Sequence, residues 1–363
     1  MMDETGLRLE ELDTPFLWVD LDQLEKNIAE LAAFFREARV GWRPHFKGLK
    51  VPAVAHKALA AGAIGMTCAK LGEAEVLAAA GVTDILVANQ VVGPRKIERL
   101  AALRGRADVK VAVDDPDNVR EIGRAAAARG LRIGIVVEVD VGMARAGVAP
   151  GEAAVELSRL IASTAGLTYQ GLMGWEGHAV GIQDPVQKQQ AVRQALAQLG
   201  RTAELCRAAG LPMPIVSGGG SSDYRIAAGL GILTEVQAGG AIFCDATYLA
   251  NGAETRPSLF VRSMVASRPA PDRLIFDAGF KALPTWARAP LPVGLPEGRL
   301  SGWSAEHLTF LLAQPDRRIR PGDAFDFAVG YGDCTVFLHD LLYAVRAGRV
   351  EVVWPVEGRG QLR

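Results

Sequence analysis

Two spacings alternate along the first two-thirds of the chain. Residues 15–20 form a short apolar run that reads as a strand. From Leu21 to Ala38 the apolar positions shift to helical spacing, at Leu24, Ile28, Leu31, Phe34 and Phe35. Strand-like runs recur at 65–68, 85–88, 109–114, 133–140, 167–173 and 214–216. Between them lie amphipathic segments such as 71–80, 95–103, 118–129, 152–163 and 186–209. Short apolar strands separated by helices predict a parallel sheet with right-handed crossovers. About eight such units in roughly 250 residues predict a (β/α)8 barrel rather than an open doubly wound sheet. No GxGxxG follows the first strand, which also argues against a dinucleotide-binding fold.

The pattern changes after about residue 255. Seven prolines cluster between 257 and 296 (Pro257, Pro269, Pro271, Pro284, Pro290, Pro292 and Pro296), and long helical periodicity is scarce. Runs at 259–264, 274–277, 324–328 and 350–354 read as strands. The expected division is therefore a barrel over 1–255 and a β-rich C-terminal domain over 256–363. The strand at 16–20 is free to join the C-terminal sheet, so the split need not be clean.

Composition narrows the class. The chain has 363 residues, 49% of them hydrophobic, and a net charge of −1, which marks neither a nucleic-acid nor a membrane partner. The acidic start, Met1-Met2-Asp3-Glu4, lacks a signal-peptide core, and no apolar run reaches the roughly 18 residues of a spanning helix. A cytoplasmic enzyme is the expectation. Cys68, Cys206, Cys244 and Cys334 form no CxxC pair, which speaks against a disulfide framework or a structural zinc cluster. Cys68 and Cys244 sit in apolar runs and read as buried small hydrophobes.

Chemistry-bearing residues collect where these strands end. Arg43-Pro44-His45-Phe46-Lys47 follows an extended run and reads as a short strand ending in lysine, which would aim the amine out of the barrel's carboxyl-terminal face. A dry lysine near other cations can condense with an aldehyde. Ser217-Gly-Gly-Gly-Ser-Ser222 follows another strand, and its glycine amides and serine hydroxyls read as a phosphate cradle. The segment 234–240, ending Gly239-Gly240, is a second glycine-bearing strand end that could complete it. Arg145 follows the 133–139 run and could bond a phenolate or carboxylate. Trp175 and His178 follow the 167–173 run, as a ring to stack on an aromatic cofactor and an acid or base near neutral pH. Singly, each is as readily a surface or structural residue. Together they describe a pocket for a phosphorylated aromatic aldehyde, and pyridoxal 5′-phosphate fits.

These segments, with Thr234-Glu-Val-Gln-Ala-Gly239, Phe243-Cys-Asp245-Ala-Thr-Tyr248, Asp277-Ala-Gly-Phe-Lys281 and Cys334-Thr-Val-Phe-Leu-His339-Asp340, occur in an order that resembles the D-threonine aldolase / D-serine dehydratase family. The resemblance spans roughly residues 10–360 and implies an alanine-racemase-type barrel with a β-rich C-terminal domain, acting as a homodimer. It implies Lys47 as the Schiff-base lysine and Arg145 as the partner of the cofactor's phenolic oxygen. His45 and Trp175 fall beside the cofactor, and His178 matches the catalytic base. Ser217, Gly219, Gly220, Ser221, Ser222, Gly239 and Gly240 match the phosphate-binding segments. One position departs from the pattern. Where the family carries His-x-Asp or His-x-Cys to bind a divalent metal, this chain reads Tyr331-Gly332-Asp333. The Asp resembles the aldolase branch. A neutral phenol is a poor ligand, so Asp333 is the remaining donor for Mn²⁺ or Mg²⁺, with His307 and His339 able to help only by rearranging.

The reaction this implies is retro-aldol cleavage of a D-β-hydroxy-α-amino acid to glycine or another short amino acid and an aldehyde. His178 would serve as base and Tyr331 would hydrogen-bond the hydroxyl in place of a metal. Elimination by a D-serine or 3-hydroxyaspartate dehydratase ranks second. An amino-acid racemase using Tyr331, or a non-catalytic pyridoxal-phosphate-binding protein, ranks below that, the latter because the extra β-rich domain favours an enzyme.

Overall fold

The computed structural model describes residues 4–363; residues 1–3 of the acidic start lie outside it. Strand β1 (Phe16–Asp20) leads into helix α1 (Leu21–Ala38). Leu24, Ile28, Leu31 and Phe35 on α1 are buried, as the helical spacing requires. Eight parallel strands follow: β2 (Gly41–Trp42), β3 (Met66–Cys68), β4 (Asp84–Gln90), β5 (Asp108–Val113), β6 (Ile133–Glu138), β7 (Leu167–Met173), β8 (Ile215–Gly218) and β9 (Glu235–Val236). Their order is β2-β9-β8-β7-β6-β5-β4-β3. The two end strands meet through a bridge between His45 and Thr67, where the Thr67 amide donates to the Pro44 carbonyl at 3.0 Å. The sheet thus curls on itself as a (β/α)8-type barrel.

Helices α2 (Pro52–Ala60), α3 (Leu71–Ala79), α4 (Pro94–Arg104), α5 (Pro116–Ala127), α6 (Glu152–Ser163) and α7 (Pro185–Ala208) alternate with the strands. Several begin where local chemistry dictates. Asp115 accepts from the Asp117 and Asn118 amides at 2.9 and 2.8 Å ahead of Pro116, and Asp184 accepts from Gln187 ahead of Pro185. Leu86, Ala112, Val136, Met173 and Ile215, one from each of five adjacent strands, pack into a single buried cluster. Cys68 and Cys244 are fully buried.

The amino-terminal ends of the strands carry a charge network built on two buried cations, Arg43 and Lys110. Arg43 is 3% exposed; it pairs with Asp84 and, at 3.0 Å, with Glu235. Lys110 bonds Asp84 at 3.0 Å and Asp108 at 2.7 Å. These groups are paired and lie opposite the end where such barrels do chemistry, so they serve the fold.

The β-rich part contains β10 (Leu259–Ala270), β11 (Arg273–Phe276), β12 (Leu291–Val293), β13 (Gly298–Trp303), β14 (Leu308–Leu312), β15 (Ala324–Ala328), β16 (Leu341–Arg346) and β17 (Arg349–Pro355). The order is β13-β14-β11-β10-β1-β16-β17, with β15 pairing β10 and β12. Strand β1 lies antiparallel to β10 and parallel to β16. Phe16 packs there with Leu9, Leu12, Tyr343, Val345 and Val350. By internal packing the chain forms two compact units. One takes the residues up to Ala29, Gly48–Ala53 and Gly240–Gly360; the other takes Glu30–Lys47, Val54–Gly239 and Gln361–Arg363. Among the described residues no helix is long and apolar enough to cross a membrane.

Candidate active site

Lys47 does not end a strand. Strand β2 stops at Trp42, Pro44 has no amide to donate, and Lys47 sits in a short 3₁₀ turn, Phe46–Gly48. Its backbone amide donates to His45 Nδ1 at 3.2 Å, which ties the two motif residues together. Gly239 passes so close to His45 that a Cβ there would fall 2.2 Å from the His45 carbonyl oxygen. Only glycine fits at that crossing.

Trp175 is the hub of the barrel cluster. Lys47 Nζ lies 5.6 Å from its ring centroid, and the Arg145 guanidinium carbon lies 5.2 Å from it. Gly177 gives the indole its room, since a Cβ there would meet the ring at 2.4 Å. Arg145 is half-exposed, with Nη2 3.9 Å from Glu138 Oε1 at the end of β6. Glu138 also accepts from Gln90 Nε2 at 2.6 Å, and burial pushes its carboxyl upward. His178 is exposed and rests against the 140–147 loop, where Gly142 (φ +122°) would place a Cβ 2.9 Å from the imidazole Cε1. Asp140 holds that loop by accepting from the Gly142 and Ala144 amides at 2.9 and 3.0 Å.

The glycine turn after β8 is built on buried polar groups. Ser217 Oγ accepts from Gln237 Nε2 at 2.9 Å. Gly219 adopts φ +68°. The Gly219 and Gly220 amides point at carboxylates, to Glu176 Oε2 at 3.4 Å and Asp223 Oδ1 at 2.8 Å. Burial, then Asp223's charge, drives Glu176 well above the usual carboxylate range; burial pushes Asp223 up to about 6. Ser222 is buried and its Oγ has no hydrogen-bond partner. An orphaned hydroxyl beside a glycine turn is what a phosphate oxygen would satisfy. A lysine amine and an arginine flanking one aromatic ring complete a donor set that fits pyridoxal 5′-phosphate.

The β-rich unit holds a second cluster. The Tyr331 hydroxyl donates to Asp333 Oδ2 at 3.0 Å, and its ring packs against Tyr248 and Trp286 at 5.8 and 5.7 Å. Burial and the neighbouring Asp333 charge push the phenol far up, so it keeps its proton. Gly48 lies against Asp333, where a Cβ would meet Oδ1 at 2.3 Å, and Gly240 lies against the Tyr248 ring. Asp245 is buried and accepts from the Gly332 and Tyr248 amides at 2.6 and 2.9 Å. His339 Nε2 is bonded to the Ala282 carbonyl at 2.8 Å. Among the described residues no group of three or more His, Cys, Asp or Glu converges as a metal site. Asp333 with a protonated phenol does not fit a divalent ion as the resemblance's His-x-Asp pair would.

Sequence reasoning missed Glu138, Gln90, Glu176, Asp223 and Gln237. Glu138 ends an apolar strand, which was a usable signal. Glu176 and Asp223 stand among glycines and serines, where acids read as solvated.

Comparison with known proteins agrees with this architecture. A model of the alanine racemase N-terminal domain matches residues 19–247, and a model of a putative serine dehydratase domain matches residues 258–345. A D-threonine aldolase of Arthrobacter sp. is 34% identical over 361 residues, spanning 98% of this chain and 95% of that protein. A 3-hydroxy-D-aspartate aldolase of Paracoccus denitrificans is 33% identical over 367 residues, spanning 98% and 94%. The crystal structure of a D-threonine aldolase from Filomicrobium marinum superposes with a TM-score of 0.96 at 34% identity, covering 99% of both chains.

Proposed function

Because the chain belongs to the D-threonine aldolase / D-serine dehydratase-like family of pyridoxal-phosphate-dependent lyases, with an alanine racemase-type N-terminal domain, we propose that it cleaves D-β-hydroxy-α-amino acids by retro-aldol reaction to glycine, or another short amino acid, and an aldehyde. The observation that carries the site is the pairing of Lys47 and Arg145 over the Trp175 ring in the unit that also holds the buried, unpartnered Ser222 hydroxyl. The full-length similarity to two aldolases supports cleavage over elimination.

Lys47 would hold the cofactor's aldehyde through its amine and Arg145 would donate to the phenolic oxygen. Trp175 would support the flat ring, and the Ser221–Ser222 end of the turn, with Gly239, would hold the phosphate; the Gly219 and Gly220 amides, which the sequence suggests as phosphate donors, are spent on the carboxylates beneath them. Bound there, the cofactor supplies an electron sink for the pair released as the Cα–Cβ bond breaks. His178 accepts the β-hydroxyl proton on an imidazole nitrogen as that bond breaks. A proton returned to Cα completes the amino-acid product and restores the balance. A cytoplasmic location and a homodimer belong to the same reading.

The test is product analysis of purified enzyme with D-threonine, D-3-hydroxyaspartate and D-serine, with and without Mn²⁺. Glycine plus an aldehyde is the expected result. A keto acid plus ammonia would make the protein a dehydratase, and inverted amino acid would make it a racemase.

A further inference from the structure

Glu176 and Asp223 are 0% and 3% exposed, and each spends one oxygen on an amide of the glycine turn. Their remaining oxygens, Glu176 Oε1 and Asp223 Oδ2, are buried without a hydrogen-bond partner. Each of these buried acids acts on the other and burial pushes both upward, so one proton held between them removes the cost of two buried charges. The charge of Lys188, on α7, acts on Asp223, and its ammonium donates to the Val180 carbonyl at 3.3 Å. Two carboxyls, one proton and one ammonium sum to zero. The turn therefore rests on a neutral floor, although two acids form it. Ser222, immediately before Asp223, has a buried hydroxyl without a hydrogen-bond partner.

We propose that Glu176 and Asp223 are positioning residues for the cofactor phosphate. Sharing one proton, balanced by Lys188, they clamp Gly219 and Gly220 and leave the Ser221–Ser222 end of the turn to meet an anion against no net charge. This rests on the cofactor reading above and adds a device that neither the resemblance nor the relatives' names carry.

The experiment measures binding of pyridoxal 5′-phosphate, pyridoxal and inorganic phosphate to apo enzyme. It compares wild type with Glu176→Gln, Glu176→Ala and Lys188→Met. Glutamine can donate to Asp223 and still accept from the Gly219 amide, so its affinities should stay within about threefold of wild type. Glu176→Ala should weaken both phosphate-bearing ligands by about tenfold or more and leave pyridoxal nearly unchanged. Lys188→Met keeps the buried stem and should show the same split, at several-fold, even if the alanine variant fails to fold. Infrared spectra of the apo protein near neutral pH should show a protonated-carboxyl band that Glu176→Gln removes. Equal weakening of pyridoxal and its phosphate ester, or no such band, overturns the proposal while cofactor binding stands. A wild-type protein that binds no pyridoxal 5′-phosphate overturns the cofactor reading, and this proposal with it.

Discussion

Lys47 reaches the carboxyl-terminal face from a turn whose amide is pinned by His45, so its amine is placed by local backbone rather than by a strand. Lys47→Ala should yield colourless protein with no borohydride-reducible cofactor linkage; a linkage surviving at another lysine would remove Lys47 from its role. His178 is exposed and seated against Gly142, and the proposed role makes it the base. His178→Asn should keep the cofactor's absorbance and slow turnover by about 10²–10⁴-fold, the usual worth of a positioned base. Tyr331 keeps its proton beside Asp333, so divalent ions should stimulate weakly. Tyr331→His should tighten Mn²⁺ retention after dialysis against a chelator and make activity more metal-responsive. The convergence of Lys47 and Arg145 on Trp175 was legible because each follows a strand-like run that breaks off. Glu176 and Asp223 were not, because nothing local distinguishes an acid in a solvated loop from one sealed beneath a glycine turn.

At the scale of elements, the long periodic helices could be read nearly to the residue, since 21–38 and 152–163 match α1 and α6. Their boundaries have chemical causes. Asp115 caps two amides of α5, and Asp115→Ala should lower stability by about 1 kcal/mol in urea unfolding, with little effect on cofactor binding. Helix α2 was not anticipated because its alanine-rich face gives little contrast between apolar and polar sides. Strands β12, β13 and β14 were hidden by prolines, glycines and exposed alternation; β12 forms by pairing with the more distant β15, and the β13–β14 hairpin joins the sheet through β11. Strand β2 shrank to two residues for the opposite reason: an extended sequence met a proline that cannot extend the ladder.

For the whole molecule, the acid pair sets a pH dependence. The folded Glu176 and Asp223 carboxyls are raised, chiefly by burial, and hold a proton that the unfolded chain releases above its ordinary range of about 4. Their stabilising contribution is therefore complete below that range and fades as pH rises through the folded value, about 6 for Asp223. Glu176→Gln needs no such proton. Relative to wild type it should gain up to about 1.4 kcal/mol per pH unit across that window, measured by urea unfolding. Equal pH slopes for the two proteins would contradict a shared proton. The fold class was legible because strand and helix periods alternate so regularly. The sequence left the 16–20 strand free to join the C-terminal sheet, as it does between β10 and β16, but which strands it pairs with was not legible, since pairing partners leave no local trace.

That interleaving has a consequence for how the chain is made. Strand β1 leaves the ribosome well before its sheet neighbours, since it lies between β10 (Leu259–Ala270) and β16 (Leu341–Arg346). At about 5–20 residues per second, it waits on the order of tens of seconds for its neighbours. Leu17 and Val19, fully buried in the finished sheet, stand uncovered throughout that interval. A nascent chain cut after residue 255 would carry this sticky strand permanently, because every residue that covers its edges is still untranslated. Strand β1 thus ties completion of the β-rich sheet to the arrival of β10 and β16, and during synthesis this apolar strand, rather than the barrel, is the segment a chaperone has most reason to hold.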